Sequence, residues 1–157
     1  MARRTLAAAL AIGALLLNLA IEHVLAGARG SLVLVPGLLD YSPTWNHGVS
    51  FGLFWQNGDT GRLVLIAVLA GVSAFVGTMA WRSTNRLQAA GYGLVVGGAL
   101  GNLADRAFGG AVFDYLFLHL GSLSLFVFNF SDAAISAGAV LVMADALLSS
   151  SGASADS

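Results

Sequence analysis

Four long apolar stretches dominate this sequence and limit what it can fold into. They cover residues 5–25, 63–81, 87–104 and 123–148. A helix needs about 20 mostly apolar residues to cross roughly 30 Å of hydrocarbon. Only 10% of the residues are charged, whereas a soluble domain usually has about 25%. We therefore predict an all-α membrane protein built as a bundle of four transmembrane helices.

The charge balance and the absence of cysteine exclude several classes of function. The 157 residues include seven arginines, no lysine and eight acidic residues, with a net charge of −1. This balance does not resemble the basic footprint of a nucleic-acid-binding protein. Without cysteine the chain can form neither a disulfide framework, nor a thiolate zinc site, nor a cysteine nucleophile.

The arginines predict the orientation of the bundle. Four of them lie before the first stretch or between the second and the third: Arg3, Arg4, Arg82 and Arg86. Under the positive-inside rule these positions are cytoplasmic. Both termini are then cytoplasmic, and segments 26–62 and 105–122 lie on the outer side. A cleavable signal peptide is an alternative for the first stretch, but that stretch is longer than a usual signal core and three more follow it.

The first outer segment is too long to be a plain connector. Residues 31–35 (SLVLV) have the pattern of a short strand. Residues 45–55 (WNHGVSFGLFW) are aromatic and amphipathic, as in segments that lie at a membrane interface. We predict a small β-like cradle and an interfacial loop here. The chain is predicted to form one integral-membrane domain at 1–150, followed by a disordered tail at 151–157.

Polar residues are concentrated at the outer ends of the third and fourth stretches. Six of them are expected at one depth: Asn102, Asp105, Arg106, Asp114, Asn129 and Asp132. Acidic residues are costly near lipid, so each is a candidate functional residue. Asp105 and Arg106 could instead form a structural ion pair, and the two asparagines could join helices by hydrogen bonds.

Asp114 and Asp132 are the strongest catalytic candidates. When two carboxyls share a site, one pKa rises, so that one group is protonated and the other ionised near neutral pH. An aspartic protease uses that asymmetry, because one carboxylate takes a proton from water while the other carboxyl donates to the carbonyl oxygen. From the residues alone, a proton relay or plain structural polarity stays open.

Four short motifs resemble those of the lipoprotein signal peptidase family, also called signal peptidase II. Residues 46–52 (NHGVSFG) resemble its NxGxxFG element, and residues 97–106 (GGALGNLADR) its GGxxGNxxDR signature. Residues 111–115 (AVFDY) are similar to its VVDF element, and residues 128–135 (FNFSDAAI) to its FNxADxxI element. The four elements occur in the order and spacing of the family.

The resemblance implies an aspartic endopeptidase of the bacterial inner membrane with its site near the periplasmic face. Its substrates would be prolipoproteins, cut just before a cysteine that carries diacylglycerol, and its other partner would be membrane lipid. No metal and no organic cofactor are implied. Nine positions match the motifs, as catalytic aspartates (Asp114, Asp132), supporting polar residues (Asn102, Asp105, Arg106, Asn129) and a loop over the substrate (Asn46, Gly48, Phe51).

The first apolar stretch departs from the family pattern. The family usually has an aspartate and, four residues later, a lysine there, and this chain has Asn18 and Glu22. Glu22 and His23 could influence the aspartate pair or could simply extend to the membrane interface. Ser131 replaces the alanine that usually precedes the second catalytic aspartate. A catalytically impaired paralogue that binds lipoprotein precursors without cutting them is therefore the alternative function.

Overall fold

The structure is a computed structural model that describes residues 2–48 and 59–155. The chain forms four long helices: α1 (Ala2–Leu25), α2 (Asp59–Trp81), α3 (Arg86–Ala104) and α4 (Phe130–Ala155). It also forms four strands: β1 (Leu32–Val35), β2 (Leu39–Asn46), β3 (Val112–Leu120) and β4 (Leu123–Phe128). A single π-helical turn, Asp105–Gly109, follows α3 directly.

Three of the helices are long and apolar enough to cross a membrane, at Ala2–Leu25, Thr60–Trp81 and Phe130–Ser149. This confirms a mostly helical membrane protein. Within the described residues α3 is not among these candidates, because its many glycines and its polar ends lower its hydropathy. The predicted helix at 87–104 is present, and its passage through the membrane stays a prediction.

Glycines place α3 at the centre of the bundle. A Cβ added at Gly93 would lie 2.6 Å from the carbonyl oxygen of Ala7, and one at Gly97 would lie 2.5 Å from that of Ala11. On the opposite side, a Cβ at Gly98 would lie 2.3 Å from the carbonyl oxygen of Ser131 on α4. Glycine is therefore required at these positions, since it lets three helix backbones touch. In this packing α1 runs parallel to α3.

The four strands form one antiparallel sheet in the order β1-β2-β3-β4. The predicted strand at 31–35 is confirmed as β1, but the sheet is larger than the sequence predicted. Segment 105–122, predicted only to lie on the outer side, contains β3, which lies between β2 and β4. Of the predicted interfacial loop at 45–55, residues 45 and 46 belong to β2, and residues 49–55 lie outside the described residues.

The predicted start of the fourth membrane stretch is wrong. Residues 123–128 (LSLFVF) are β4, which pairs with β3 from Leu120↔Leu123 to Leu116↔Phe128, and α4 begins only at Phe130. An apolar run of this length is ambiguous by periodicity, and its aromatic and β-branched residues favour a strand. Gly121, at φ +57°, makes the tight turn between the strands. The predicted domain at 1–150 and disordered tail at 151–157 stay predictions, although α4 continues to Ala155.

Candidate active site

The polar residues expected at one depth meet where the sheet joins the helices. Asp114 lies on β3 opposite Thr44, and Asn46 ends β2 two residues further along. Asp132 lies in the first turn of α4, whereas the predicted start of the fourth stretch at residue 123 placed it further along, in the first half of that span. The reason is that residues 123–128 form β4, so that α4 begins only at Phe130.

The start of α4 fixes two of these side chains. Asn129 precedes the first residue of the helix, and its Oδ1 accepts a hydrogen bond from the Asp132 N–H at 3.0 Å. In return Asp132 Oδ2 accepts from the Asn129 N–H at 3.3 Å. This reciprocal pattern is that of a capping box, with aspartate in the place of glutamate. The helix start therefore orients Asp132 and the fully buried Asn129 together.

A chain of amide groups connects the two aspartates. Asn129 Nδ2 donates to Asp114 Oδ1 at 3.1 Å and to Asn102 Oδ1 at 3.0 Å. Asn102 Nδ2 then donates to Asp132 Oδ1 at 2.8 Å. The second oxygen of Asp114 accepts from Asn46 Nδ2 at 3.0 Å. Asn102 thus lies on α3, Asn46 on β2 and Asn129 just before α4, and each donates to at least one carboxyl oxygen.

The two aspartates line one cavity of about 440 Å³. Asn46 and Arg106 also contribute to its wall, and β4 supplies an apolar side from Leu125 to Phe128. A substrate backbone in this cavity could therefore reach both carboxyls while its apolar parts contact the sheet.

Burial changes the acid-base properties of Asp114, which is 3% exposed. Burial raises the pKa of Asp114 from its usual value of 3.8 to about 6. The hydrogen bond from Asn46 and the charge of Arg106 oppose that rise, whereas the charge of Asp132 adds to it. A carboxyl with such a pKa can hold or release a proton close to neutral pH.

Arg106 holds the segment after β2 against the end of α3. Its Nη2 donates to the carbonyl oxygen of Gly48 at 2.8 Å, and its Nη1 donates to that of Asn102 at 3.1 Å. The side chain is 6% exposed, and burial lowers the pKa of its guanidinium. The charge of Arg106 also opposes the rise in the pKa of Asp105, so the suggested ion pair stays a prediction beside these carbonyl contacts.

Asp105 supports β3 from the π-helical turn. Its Oδ2 accepts from the N–H of Phe113, the residue before Asp114, at 3.3 Å. Burial raises the pKa of Asp105. Gly48 in turn donates its N–H to Asn46 Oδ1 at 3.1 Å. Phe51, the third predicted residue of the substrate loop, lies outside the described residues.

The two residues of α1 that depart from the family pattern both face the interior. Asn18 is fully buried, and its Nδ2 donates to Glu22 Oε1 at 2.6 Å. Gly101 of α3 makes room for it, because a Cβ there would lie 3.1 Å from Asn18 Nδ2. The Glu22 carboxyl contacts that of Asp105, and both line a second cavity of about 660 Å³. Glu22 is thus connected to the candidate site through Asp105.

Two residues that sequence reasoning did not place in the site also support it. The hydroxyl oxygen of Tyr115 accepts from the Phe130 N–H at 3.1 Å and so joins β3 to the start of α4. Ser131 is fully buried between α3 and α4, where a Cβ at Gly101 would lie 2.2 Å from its Oγ. The position of Tyr115 beside Asp114 was the only signal available for it.

Metal ligands are not grouped in the described part of the chain. Among residues 2–48 and 59–155, no three side chains of histidine, cysteine, aspartate or glutamate are arranged to hold a metal ion. The expectation that the protein uses no metal and no organic cofactor stays a prediction.

Comparison with known proteins gives one consistent family. The sequence profile of the family described as "Signal peptidase (SPase) II" matches residues 6–148. A "Lipoprotein signal peptidase" of Methylorubrum extorquens is 51% identical over 110 residues, which are 69% of this chain and 63% of that protein. The protein of the same name from Mesorhizobium japonicum is 43% identical over 146 residues, 90% of this chain and 84% of that protein.

The fold is also similar to that of a solved bacterial membrane enzyme. The structure described as "Bacterial membrane enzyme structure by the in meso method at 2.3 A resolution" matches with a TM-score of 0.73 at 19% identity. The match covers 93% of this chain and 90% of that one. The chain spans less than two thirds of the length of the Methylorubrum relative.

Proposed function

This chain belongs to the signal peptidase II family, and on that premise we propose that it removes the signal peptide from prolipoproteins. The bond cut lies just before the cysteine that carries diacylglycerol. One observation carries the proposal: Asp114 and Asp132 belong to one amide network and open into one cavity. We propose Asp114 and Asp132 as the catalytic pair of an aspartic endopeptidase.

The proposed reaction is hydrolysis without a covalent enzyme intermediate. The ionised carboxylate takes a proton from a water molecule, and the water oxygen bonds to the scissile carbonyl carbon. The protonated carboxyl donates its proton to the carbonyl oxygen. When the tetrahedral intermediate collapses, the C–N bond breaks, and the amine of the diacylglyceryl-cysteine leaves with a proton. The products are the free signal peptide and the lipoprotein with a new amino terminus.

The surroundings of the two carboxyls support a division of roles. Burial raises the pKa of Asp114 to about 6, so this carboxyl takes up a proton more readily than an ordinary aspartate does. Asp132 lies in the first turn of α4, where the helix dipole stabilises a negative charge. We therefore propose that Asp114 donates the proton to the scissile carbonyl oxygen and that Asp132 activates the water molecule.

The supporting residues keep this pair in place. Asn102 and Asn129 orient the carboxyl oxygens, and Asn46 holds Asp114 from the side of the sheet. Arg106 binds the carbonyl of Gly48 and so fixes the end of the described segment that follows β2. Asp105 supports the strand that carries Asp114.

The location of the site suits a substrate whose lipid remains in the bilayer. We propose that α3 is a fourth membrane span, enclosed by the other helices at its glycine faces, and that the sheet forms the cradle. The arginines then place both termini in the cytoplasm and the aspartates at the periplasmic face of the inner membrane. At that depth the acyl chains of the substrate stay in lipid while water still reaches the carboxyls.

The test is cleavage of a synthetic prolipoprotein peptide by the purified protein in detergent. One peptide carries diacylglycerol on the cysteine, and its matched control has the same sequence with an unmodified cysteine. We expect a single cut before the modified cysteine, seen by mass spectrometry, and little or no cut in the control. Equal cleavage of both peptides, or a cut at another bond, would contradict the proposed specificity.

An impaired paralogue is the alternative function, and the contacts of the described residues do not favour it. Every member of the amide chain between Asp114 and Asp132 is hydrogen-bonded. A dead copy would have no reason to retain this costly buried pair. Tight binding of the modified peptide with no cleavage at any pH would support the paralogue instead.

A further inference from the structure

The end of the bundle opposite the aspartates has a further cavity, which is polar and which the proposed peptidase function does not use. Its volume is about 410 Å³, and it lies between the start of α1 and the link from α2 to α3. Six residues line it: Arg3, Arg4, Trp81, Arg82, Ser83 and Thr84. We propose that this cavity binds the headgroup of an anionic glycerophospholipid whose acyl chain lies in the adjoining groove between α1, α2 and α3.

The charge of the cavity fits a phosphodiester. Three of its lining residues are arginines and none carries a carboxylate. Arg3 donates to the carbonyl oxygen of Thr84, and Arg4 Nε donates to that of Trp81 at 3.2 Å. Each of these contacts uses one nitrogen of a guanidinium that has five N–H donors. Guanidinium donors therefore remain for phosphate oxygens, whereas the hydroxyls of Ser83 and Thr84 already donate to acceptors within the protein.

Arg4 is held in place by more than one contact. Its guanidinium lies over the ring of Trp81, with 4.5 Å between the guanidinium carbon and the ring centroid. Together with the Nε hydrogen bond, this fixes the start of α1 against the end of α2. Because the Arg4 side chain is already held in the cavity wall, it loses little conformational freedom when it binds an anion.

A narrow apolar groove continues from the cavity. Its volume is about 170 Å³, and it shares Arg4 and Trp81 with the arginine cavity. Its other lining residues are small or aliphatic, among them Ala8, Ala11 and Gly77. An added Cβ at Gly77 would meet no atom within 4 Å, so the groove is open there. Small residues on three helices thus leave space for an aliphatic chain.

The combination indicates a lipid and not a free anion. Two of the three helices around the groove, α1 and α2, are apolar enough to span a membrane. The cavity lies at the ends of these helices, where headgroups are found. Trp81 is 61% exposed at the end of α2, a position typical of interfacial tryptophan. Basic pockets between membrane helices are known to recognise acidic phospholipid headgroups. A free phosphate would use the arginines but not the groove.

The first test measures binding by native mass spectrometry of the purified full-length protein in neutral detergent. The probes are dioleoylphosphatidylglycerol, dioleoylphosphatidylcholine and, as the headgroup alone, glycerol 3-phosphate. We expect one phosphatidylglycerol to bind at least about tenfold more tightly than either of the other two. Equal binding of the two lipids would overturn the proposal, and so would glycerol 3-phosphate binding as tightly as the anionic lipid.

Matched arginine variants test the headgroup site. Arg4→Gln combined with Arg82→Gln is expected to weaken phosphatidylglycerol binding about fivefold for each arginine removed, since one such charge contributes about that factor at a membrane surface. The control combines Arg29→Gln with Arg62→Gln, which changes the net charge equally and lies outside the cavity. Equal loss in both variants would show that binding is unspecific.

Two glycine substitutions on one helix test the groove without changing any charge. Gly77→Phe should fill the groove and weaken phosphatidylglycerol binding by about tenfold or more. Gly71→Phe is the control, because an added Cβ at Gly71 also meets nothing within 4 Å and Gly71 lies outside the groove. Unchanged binding by Gly77→Phe, with the fold intact by circular dichroism, would contradict the proposed acyl site.

Discussion

At each end of the helical bundle an asparagine caps a helix and donates to an aspartate, but only one end has the features of a candidate active site. At one end Asn85 caps α3, with its Oδ1 accepting from the Gln88 N–H at 2.9 Å, and its amide donates to Asp145. At the other end Asn129 caps α4, and its amide donates to Asp114. A capping asparagine beside an aspartate is therefore not in itself a site.

The difference lies in what surrounds each asparagine. Asp145 has two amide donors, from Asn85 and Gln88, and lines neither the 440 Å³ nor the 660 Å³ cavity. Asn129 donates to Asp114 and to Asn102, and Asn102 in turn donates to Asp132. Both carboxyls face one cavity. A second carboxyl and a space for substrate distinguish a candidate active site from a structural cap.

Replacing each capping asparagine by alanine should give the largest difference in kcat/KM between the two ends. Asn129→Ala removes donors from Asp114 and from Asn102 at once. We expect kcat/KM for the diacylglyceryl peptide to fall by roughly 100-fold or more, as when a positioned acid-base group is lost. Asn85→Ala should cost about 1 kcal/mol of stability, as for other lost caps, with kcat/KM nearly unchanged. Equal losses of kcat/KM would erase the distinction between the ends.

The pH dependence of stability tests the burial of Asp114. Its pKa is raised from 3.8 to about 6 in the folded state, so burial of the charge costs nothing below pH 4. The cost develops as the pH rises through about 6, and it reaches on the order of 3 kcal/mol. Thermal unfolding should therefore show wild type losing stability relative to Asp114→Asn between pH 4 and 7. Parallel curves for the two proteins would contradict the raised pKa.

Two glycines of α3 test whether packing at each end affects the site. A Cβ at Gly98 would lie 2.3 Å from the Ser131 carbonyl oxygen, and one at Gly91 would lie 2.8 Å from that of Gly138. We expect Gly98→Ala and Gly91→Ala each to cost about 1–3 kcal/mol, as is usual for overpacking. Only Gly98→Ala should lower kcat, because Ser131 precedes Asp132. If Gly91→Ala lowers kcat as strongly, the two ends are mechanically coupled.

The smallest effect is expected at Glu22. Glu22→Gln keeps an oxygen that can accept from Asn18 Nδ2 and places an amide donor beside Asp105. We expect kcat/KM to change by less than about fivefold, or about 1 kcal/mol in transition-state stabilisation. A much larger loss would show that the Glu22 carboxyl itself takes part in the reaction.

The sequence predicted the site better than the architecture around it. The six polar residues could be assigned to one depth because acidic side chains are costly near lipid and therefore indicate a functional site. The motifs also resembled one family. The family is confirmed, and the structure brings those residues together. Their catalytic roles stay proposals.

The errors concern the sheet and have a physical cause. The periodicity of residues 123–128 does not distinguish a strand from the start of a helix, although their aromatic and β-branched side chains favour a strand. Pairing with β3 decides in favour of the strand, and such a long-range contact leaves no local signal. For the same reason Asp114 could be assigned to the outer segment 105–122 but not to a strand. The hydroxyl contact of Tyr115 with the start of α4 depends on that same pairing.

The most direct test of the central claim compares three single substitutions of equal chemistry. Asp114→Asn and Asp132→Asn each remove one member of the proposed pair, whereas Asp40→Asn removes the carboxylate that pairs with His119 on the same sheet. The measurement is kcat/KM for the diacylglyceryl peptide with each purified protein, after circular dichroism has shown that it is folded. We predict that each pair variant loses roughly a thousandfold or more and that Asp40→Asn cleaves like wild type. Substantial cleavage by a folded Asp114→Asn or Asp132→Asn protein would contradict the account.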